Sequence, residues 1–243
     1  MKRATSSTIW STVSSERSLA GAPLRLFVSP RARRMRLKVD PRTRSVVLTV
    51  PRRVSEGRAL AWAAGQSEWV ESALAAIPEA LPIAPGSLLP LGGVPHRIDW
   101  DPGRPRRIEL EPGRLLAGGP AEGLEARLLR WLRARALELL ERETRECAAK
   151  AGVVASRVRV GDPVSRWGSC SSSGAIRYSW RLVLAPEFVR RATVAHEVAH
   201  LVHMNHGADF HLLVRTLLGA DPKPARTWLR REGGALHRIG RRP

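Results

Sequence analysis

Apolar and polar residues alternate along RRMRLKVD (33–40): Met35, Leu37 and Val39 fall on one side, Arg34, Arg36 and Lys38 on the other. That period of two predicts a half-buried strand. PRTR (41–44) reads as a turn and SVVLTVP (45–51) as a second strand, so the pair forms a hairpin. From Ser55, a capping residue, the period lengthens to that of a helix running to about Ile77, with Trp62, Trp69, Val70 and Leu74 on its apolar side and Pro78 as its stop. Residues 82–120 are rich in proline and glycine and carry short strand candidates, VPHRIDW (94–100) and RRIELE (106–111). Residues 23–120 are therefore expected to form a small β-rich subdomain with one helix, ending in the flexible-looking stretch GRLLAGGPAEG (113–123).

Beyond it the pattern becomes that of one long amphipathic helix from Leu124 to Lys150. Leu128, Leu132, Ala136, Leu139, Leu140 and Cys147 make a single stripe, and Gly152 stops the helix. SRVRVG (156–161) predicts a short strand and AIRYSWRLVLAP (175–186) a longer one ended by Pro186, after which a helix begins. The overall expectation is an α+β fold, with residues 124–235 as the principal domain. Residues 1–22 are polar, serine-rich and expected to be mobile, and 236–243 form a basic tail. No internal repeat is seen.

Composition narrows the class. Apolar residues make up 43% of 243, enough for a packed core. The two cysteines, Cys147 and Cys170, lie far apart, which excludes a cysteine-rich zinc module and argues against a disulfide framework. No continuous apolar segment suggests a signal peptide or membrane span, so a cytoplasmic protein is expected. The formal charge of +19 should attract polyanions. Yet Lys2, Lys38, Lys150 and Lys223 are the only lysines, and the arginines are spread along the whole chain. Composition bias accounts for that as well as a nucleic-acid partner does.

Chemistry concentrates in HEVAHLVHMNH (196–206), which holds His196, His200, His203 and His206. On a helix His196 and His200 lie one turn apart on one face, where two imidazole nitrogens can reach one ion. Glu197 sits beside them as a general base that does not ligate; this is H-E-x-x-H. A catalytic zinc needs a third protein ligand. His203 shares the face but lies about 10.5 Å along the axis from His196. Asn205 and Gly207 allow the chain to turn back, so His206 is favoured over His203, which is left as a cleft or solvated residue. His211, on ADFHLLVRTLLG, is expected to pack or to support the site.

Together RWGSC (166–170), WRLVLAP (180–186), HEVAHL (196–201), NHG-x-x-F (205–210) and RTWL (226–229) resemble the YgjP-like metallopeptidase family, related to the SprT-type and WLM-type zincins. The hairpin at 33–55, the helix with Trp69 and LPLGGVPHRI (89–98) extend the resemblance over about residues 24–232. It implies a zincin-like domain with a long helix, a small antiparallel sheet and an H-E-x-x-H helix. It also implies His196, His200 and His206 as ligands of one Zn2+ and Glu197 as catalytic base. Ser179 and His211 depart from the family pattern without touching a ligand.

Zincins run a strand along the cleft to which a peptide substrate adds, and AIRYSWRLVL is the candidate. Tyr178 or Arg181 could stabilise an oxyanion, although packing and solvation are the slightly favoured readings. Trp167 is expected in the core and Cys170 as a small buried residue. The sequence thus predicts a zinc-dependent hydrolase, a metallopeptidase first, in which Glu197 activates a zinc-bound water on a peptide or protein substrate. The alternatives are a nucleic-acid-associated protein with a structural zinc, a protease recruited to DNA, and a hydrolase of a phosphoanhydride bond.

Overall fold

A computed structural model describes residues 17–40, 43–77 and 79–240. Its contacts divide the chain into two compact units, meeting at Glu79 and Ala80.

The first unit is a sheet with order β1-β2-β4-β3, made of β1 (Ser18–Leu19), β2 (Ala22–Ser29), β3 (Arg36–Asp40) and β4 (Ser45–Pro51). The expected hairpin is present: β3 and β4 pair antiparallel, with Leu37 opposite Leu48 and Val39 opposite Val46. β2, which the alternation had not singled out, pairs parallel to β4. Leu19 and Ala22 are buried, so the part of the 1–22 segment that is described belongs to the sheet; residues 1–16 lie outside the described residues, as do Pro41, Arg42 and Pro78. Ser55 caps the helical region as expected, its hydroxyl accepting from the Arg58 N–H. The region is two helices, however, α1 (Glu56–Ala64) and α2 (Ser67–Ala75). Gly65 stabilises helix weakly, and the Ser67 hydroxyl donates to the Ala64 carbonyl at 2.8 Å, so the backbone ladder breaks there. Ala59, Ala63, Val70 and Leu74 cover the sheet residues Leu24, Leu26, Val46, Leu48 and Val50. Trp69, expected on this face, is instead 49% exposed, while Val70 and Leu74 are buried as expected.

The second unit starts with another mixed sheet, order β5-β6-β8-β7: β5 (Leu88–Leu91), β6 (Val94–Asp101), β7 (Ile108–Glu111) and β8 (Arg114–Gly118). β8 lies inside the stretch expected to be a linker. Leu115 and Ala117 are fully buried in the same cluster as Leu124 and Leu128, so the chain passes into the next helix without a boundary. Two backbone bonds, from Gly92 N–H to the Val183 carbonyl and from Gly93 N–H to that of Leu184, tie the β5–β6 turn to the later part of the chain. A Cβ on Gly93 would sit 2.7 Å from Pro186 Cγ.

α3 (Leu124–Lys150) carries the expected stripe: Leu128, Leu132, Ala136 and Leu140 have no exposed surface. Gly152, at φ +66°, follows its end. Three short strands come next, β9 (Arg157–Gly161), β10 (Gly168–Cys170) and β11 (Ala175–Ser179), in the order β10-β11-β9. This sheet is mixed rather than antiparallel, since β11 runs parallel to β9. The strand expected through Pro186 ends at Ser179, whose hydroxyl accepts from the Arg181 N–H and opens a 3-10 turn over Trp180–Val183. α4 (Glu187–Ala199) then starts after Pro186 as expected, followed by α5 (Ala208–Leu218) and α6 (Lys223–Leu236). The described part of the expected basic tail is anchored: Leu236 and Ile239 are each 4% exposed, and both carbonyls accept from Arg181. Among the described residues no helix is long and apolar enough to cross a membrane.

Candidate functional site

The helix bearing His196 is held from behind. Arg190 on α4 donates to both carboxylate oxygens of Glu143 on α3, at 2.7–3.0 Å, with both side chains buried. Val189, Val194, Val198 and Ala199 fill the remaining space against the core. α4 therefore presents a fixed edge on which His196 and Glu197 stand.

It ends earlier than the histidine spacing suggests. Ala199 is the last helical residue, and Leu201 and Val202 N–H groups fall back on the carbonyls of Val198 and Ala199. His200 occupies the cap. The tight turn brings the His203 carbonyl 3.0 Å from His200 Nδ1. Nδ1 must then carry the proton, which leaves Nε2 of His200 with a lone pair for a metal. His203 thus joins the site through its backbone, while its imidazole stays outside the ligand group.

The chain swings back through Asn205, and the ligand atoms of His196, His200 and His206 all lie within 4.8 Å of one another. Nε2 of His206 is 3.4 Å from Nε2 of His196. Two nitrogens bound at 2.0–2.1 Å in a tetrahedron are separated by about 3.3–3.4 Å. His196 and His206 therefore have the spacing of two ligands on one zinc-sized ion, and His200 lies close enough to complete a group that could hold it. Burial, with the neighbouring His200 and His206, lowers the His196 pKa to about 4, and burial lowers that of His200. Both rings are consequently neutral near pH 7, the form that ligates.

Phe210 is the floor of the cluster. Its ring centroid lies 5.0 Å from that of His196, 4.5 Å from that of His200 and 4.7 Å from that of His206, and the ring is 1% exposed. The phenylalanine of NHG-x-x-F fixes three imidazole planes at once, a task that spacing alone did not assign to it.

Glu197 is 5% exposed, and burial raises its carboxyl to about pH 7 against the opposing pull of Arg166. Beside it runs β10. A Cβ on Gly168 would lie 2.4 Å from Glu197 Oε1, so only glycine lets the strand approach this closely. In the sequence RWGSC stood out only through the family resemblance; what its glycine does depends on a contact with a distant helix. Cys170 is half-buried on the same strand, and burial, with Glu197, raises its thiol pKa.

The other candidates fall elsewhere. Tyr178 is fully buried, and its hydroxyl lies 3.0 Å from the Thr144 hydroxyl on α3. Arg181 is 3% exposed and spends its donors on Asp162 and on the carbonyls of Leu236 and Ile239. Neither lines the cleft. β11, expected to receive a substrate strand, is central in its sheet and paired on both edges; the terminal strands are β9 and β10, and β10 is the one beside Glu197. Trp167, expected in the core, is half-buried and lines a cleft of about 270 Å³ beside His196 and Glu197, in which His211 and Phe210 also take part.

Three imidazoles drawn together beside a buried carboxylate and an open cleft make a group that could hold a metal ion. A model of the YgjP-like, metallopeptidase domain matches residues 33–232, and the chain belongs to that family. No curated protein and no solved structure matched the chain.

Proposed function

We propose that the protein is a zinc-dependent metallopeptidase with His196, His200 and His206 as metal ligands and Glu197 as general base. The observation that carries this reading is the 3.4 Å separation of two Nε2 atoms beside a carboxylate that belongs to no ion pair among the described residues. A structural zinc closes its shell with four protein ligands, whereas the cluster among the described residues offers three.

A bound zinc supplies Lewis acidity, which acidifies water and polarises a scissile carbonyl. Glu197 accepts the proton of the attacking water and returns it to the leaving amine. Its raised pKa, about 7, suits both transfers near neutral pH. Gly168 leaves the carboxylate its room. The outer edge of β10 is where an extended peptide can add as a strand, replacing β11 in that role.

The ligand set is tested by metal content. His206→Ala should reduce zinc to well below one per chain, while His203→Ala, which keeps the carbonyl that orients His200, should retain it. The opposite order would remove His206 from the site.

A further inference from the structure

The cleft beside the histidines has a lopsided lining. Val214 on α5, Ala225 and Leu229 on α6 and Trp167 make most of it apolar. Two guanidinium groups, Arg166 and Arg226, also line it, and among the described residues Glu197 is the only acid there. Both arginines are exposed, and neither has a carboxylate within ion-pair distance among the described residues. Arg166 is close enough to act on the Glu197 carboxyl, and Arg226 on His196. Each therefore lies near the reacting centre.

The first turn of α6, Pro222 to Arg226, also borders the cleft, so the positive end of that helix adds to the field. Asp221 at its start is already engaged, accepting from the Lys223 N–H at 3.0 Å. A lining that is largely apolar and carries two exposed cations suits an acid on a short aliphatic stem. A guanidinium fork meets a carboxylate through paired hydrogen bonds.

We propose that this cleft receives a carboxylate of the bound peptide, from a glutamate or aspartate side chain or from the C-terminus, with Arg166 and Arg226 as its counter-charges. The inference rests on the peptidase reading of the neighbouring histidines. It makes the enzyme selective for acidic peptides although the chain as a whole is strongly basic. Val214, Ala225 and Leu229 carry the stem, and Arg226 and Arg166 close over the charge.

The test uses the full chain loaded with zinc. Labelled peptides of one alanine-rich sequence carry a single Glu, Gln, Leu or Lys at successive positions, each with a free or an amidated C-terminus. Binding is read by fluorescence anisotropy on the Glu197→Gln protein, and cleavage on the wild type. A peptide with the carboxylate should bind about tenfold or more tightly than its uncharged isostere. Arg166→Gln and Arg226→Gln should each narrow that gap, the double variant should abolish it, and Arg226→Glu should favour lysine. Loss of the preference on amidation assigns the carboxylate to the C-terminus; its persistence assigns it to a side chain. Equal binding of charged and uncharged peptides, or an undiminished preference in the double variant, would overturn the proposal. Cleavage without acid preference refutes the pocket and spares the peptidase reading. Arginine-dependent binding without cleavage of any peptide does the reverse.

Discussion

At the residue scale the site depends on close approaches that allow little substitution. Gly168→Ala is the sharpest case. The added methyl would lie 2.4 Å from Glu197 Oε1, and the carboxylate or β10 must move by several tenths of an ångström or more. Misplacing a catalytic group by about 1 Å costs on the order of 10² in rate. The variant should therefore bind zinc as the wild type does and lose activity by about that factor, read as kcat at matched metal content. Full activity would mean that the carboxylate position is not critical. The histidine cluster was legible in the sequence because helix periodicity and a turn place His196, His200 and His206 within one contiguous run. Gly168 and Phe210 were not, since their roles exist only once distant segments meet.

At the element scale α4 is stabilised by its neighbours more than by its own propensity. Removing Arg190 as Arg190→Met would leave Glu143 buried without its partner and should cost about 3–5 kcal/mol, measured by denaturant unfolding of the metal-free protein. Tyr178→Phe removes one buried hydrogen bond to Thr144 and should cost only about 1 kcal/mol while leaving kcat unchanged. A large drop in kcat would restore Tyr178 to the reaction. Strand pairing explains most of what the hydrophobic pattern failed to give. Alternation identified β3 and β4, but whether β2 joins them in parallel depends on residues far apart in the chain. WRLVLAP reads as more strand because it is apolar, yet buried Arg181 and the Ser179 cap bend it into a 3-10 turn. GRLLAGG reads as linker because it is glycine-rich, yet Leu115 and Ala117 fit the core.

At the scale of the whole molecule, the chain carries a formal charge of +19, and the cleft is lined by Arg166 and Arg226, neither of which has a carboxylate within ion-pair distance among the described residues. We propose that this charge draws nucleic acid as well as acidic substrates. Binding of duplex DNA should then weaken at least tenfold between about 50 and 200 mM salt, since each phosphate contact releases a counterion. Affinity that is flat with salt, or no binding at any salt, would assign the arginines to composition alone. The α+β class and the long central helix followed from periodicity. The division at Glu79 and Ala80 did not, because it depends on which sheet each short strand joins.

Glu197→Gln tests the central claim most directly. The substitution keeps the size of the side chain and removes its basicity, and general-base assistance of this kind contributes about 10²–10⁴ in rate. The measurement is peptide hydrolysis by wild type and variant at equal zinc content, each verified by native mass spectrometry. The account predicts one zinc per chain in both proteins, similar melting temperatures, and activity lower in the variant by about that factor. An active Glu197→Gln enzyme, or a variant that no longer holds zinc, would contradict it.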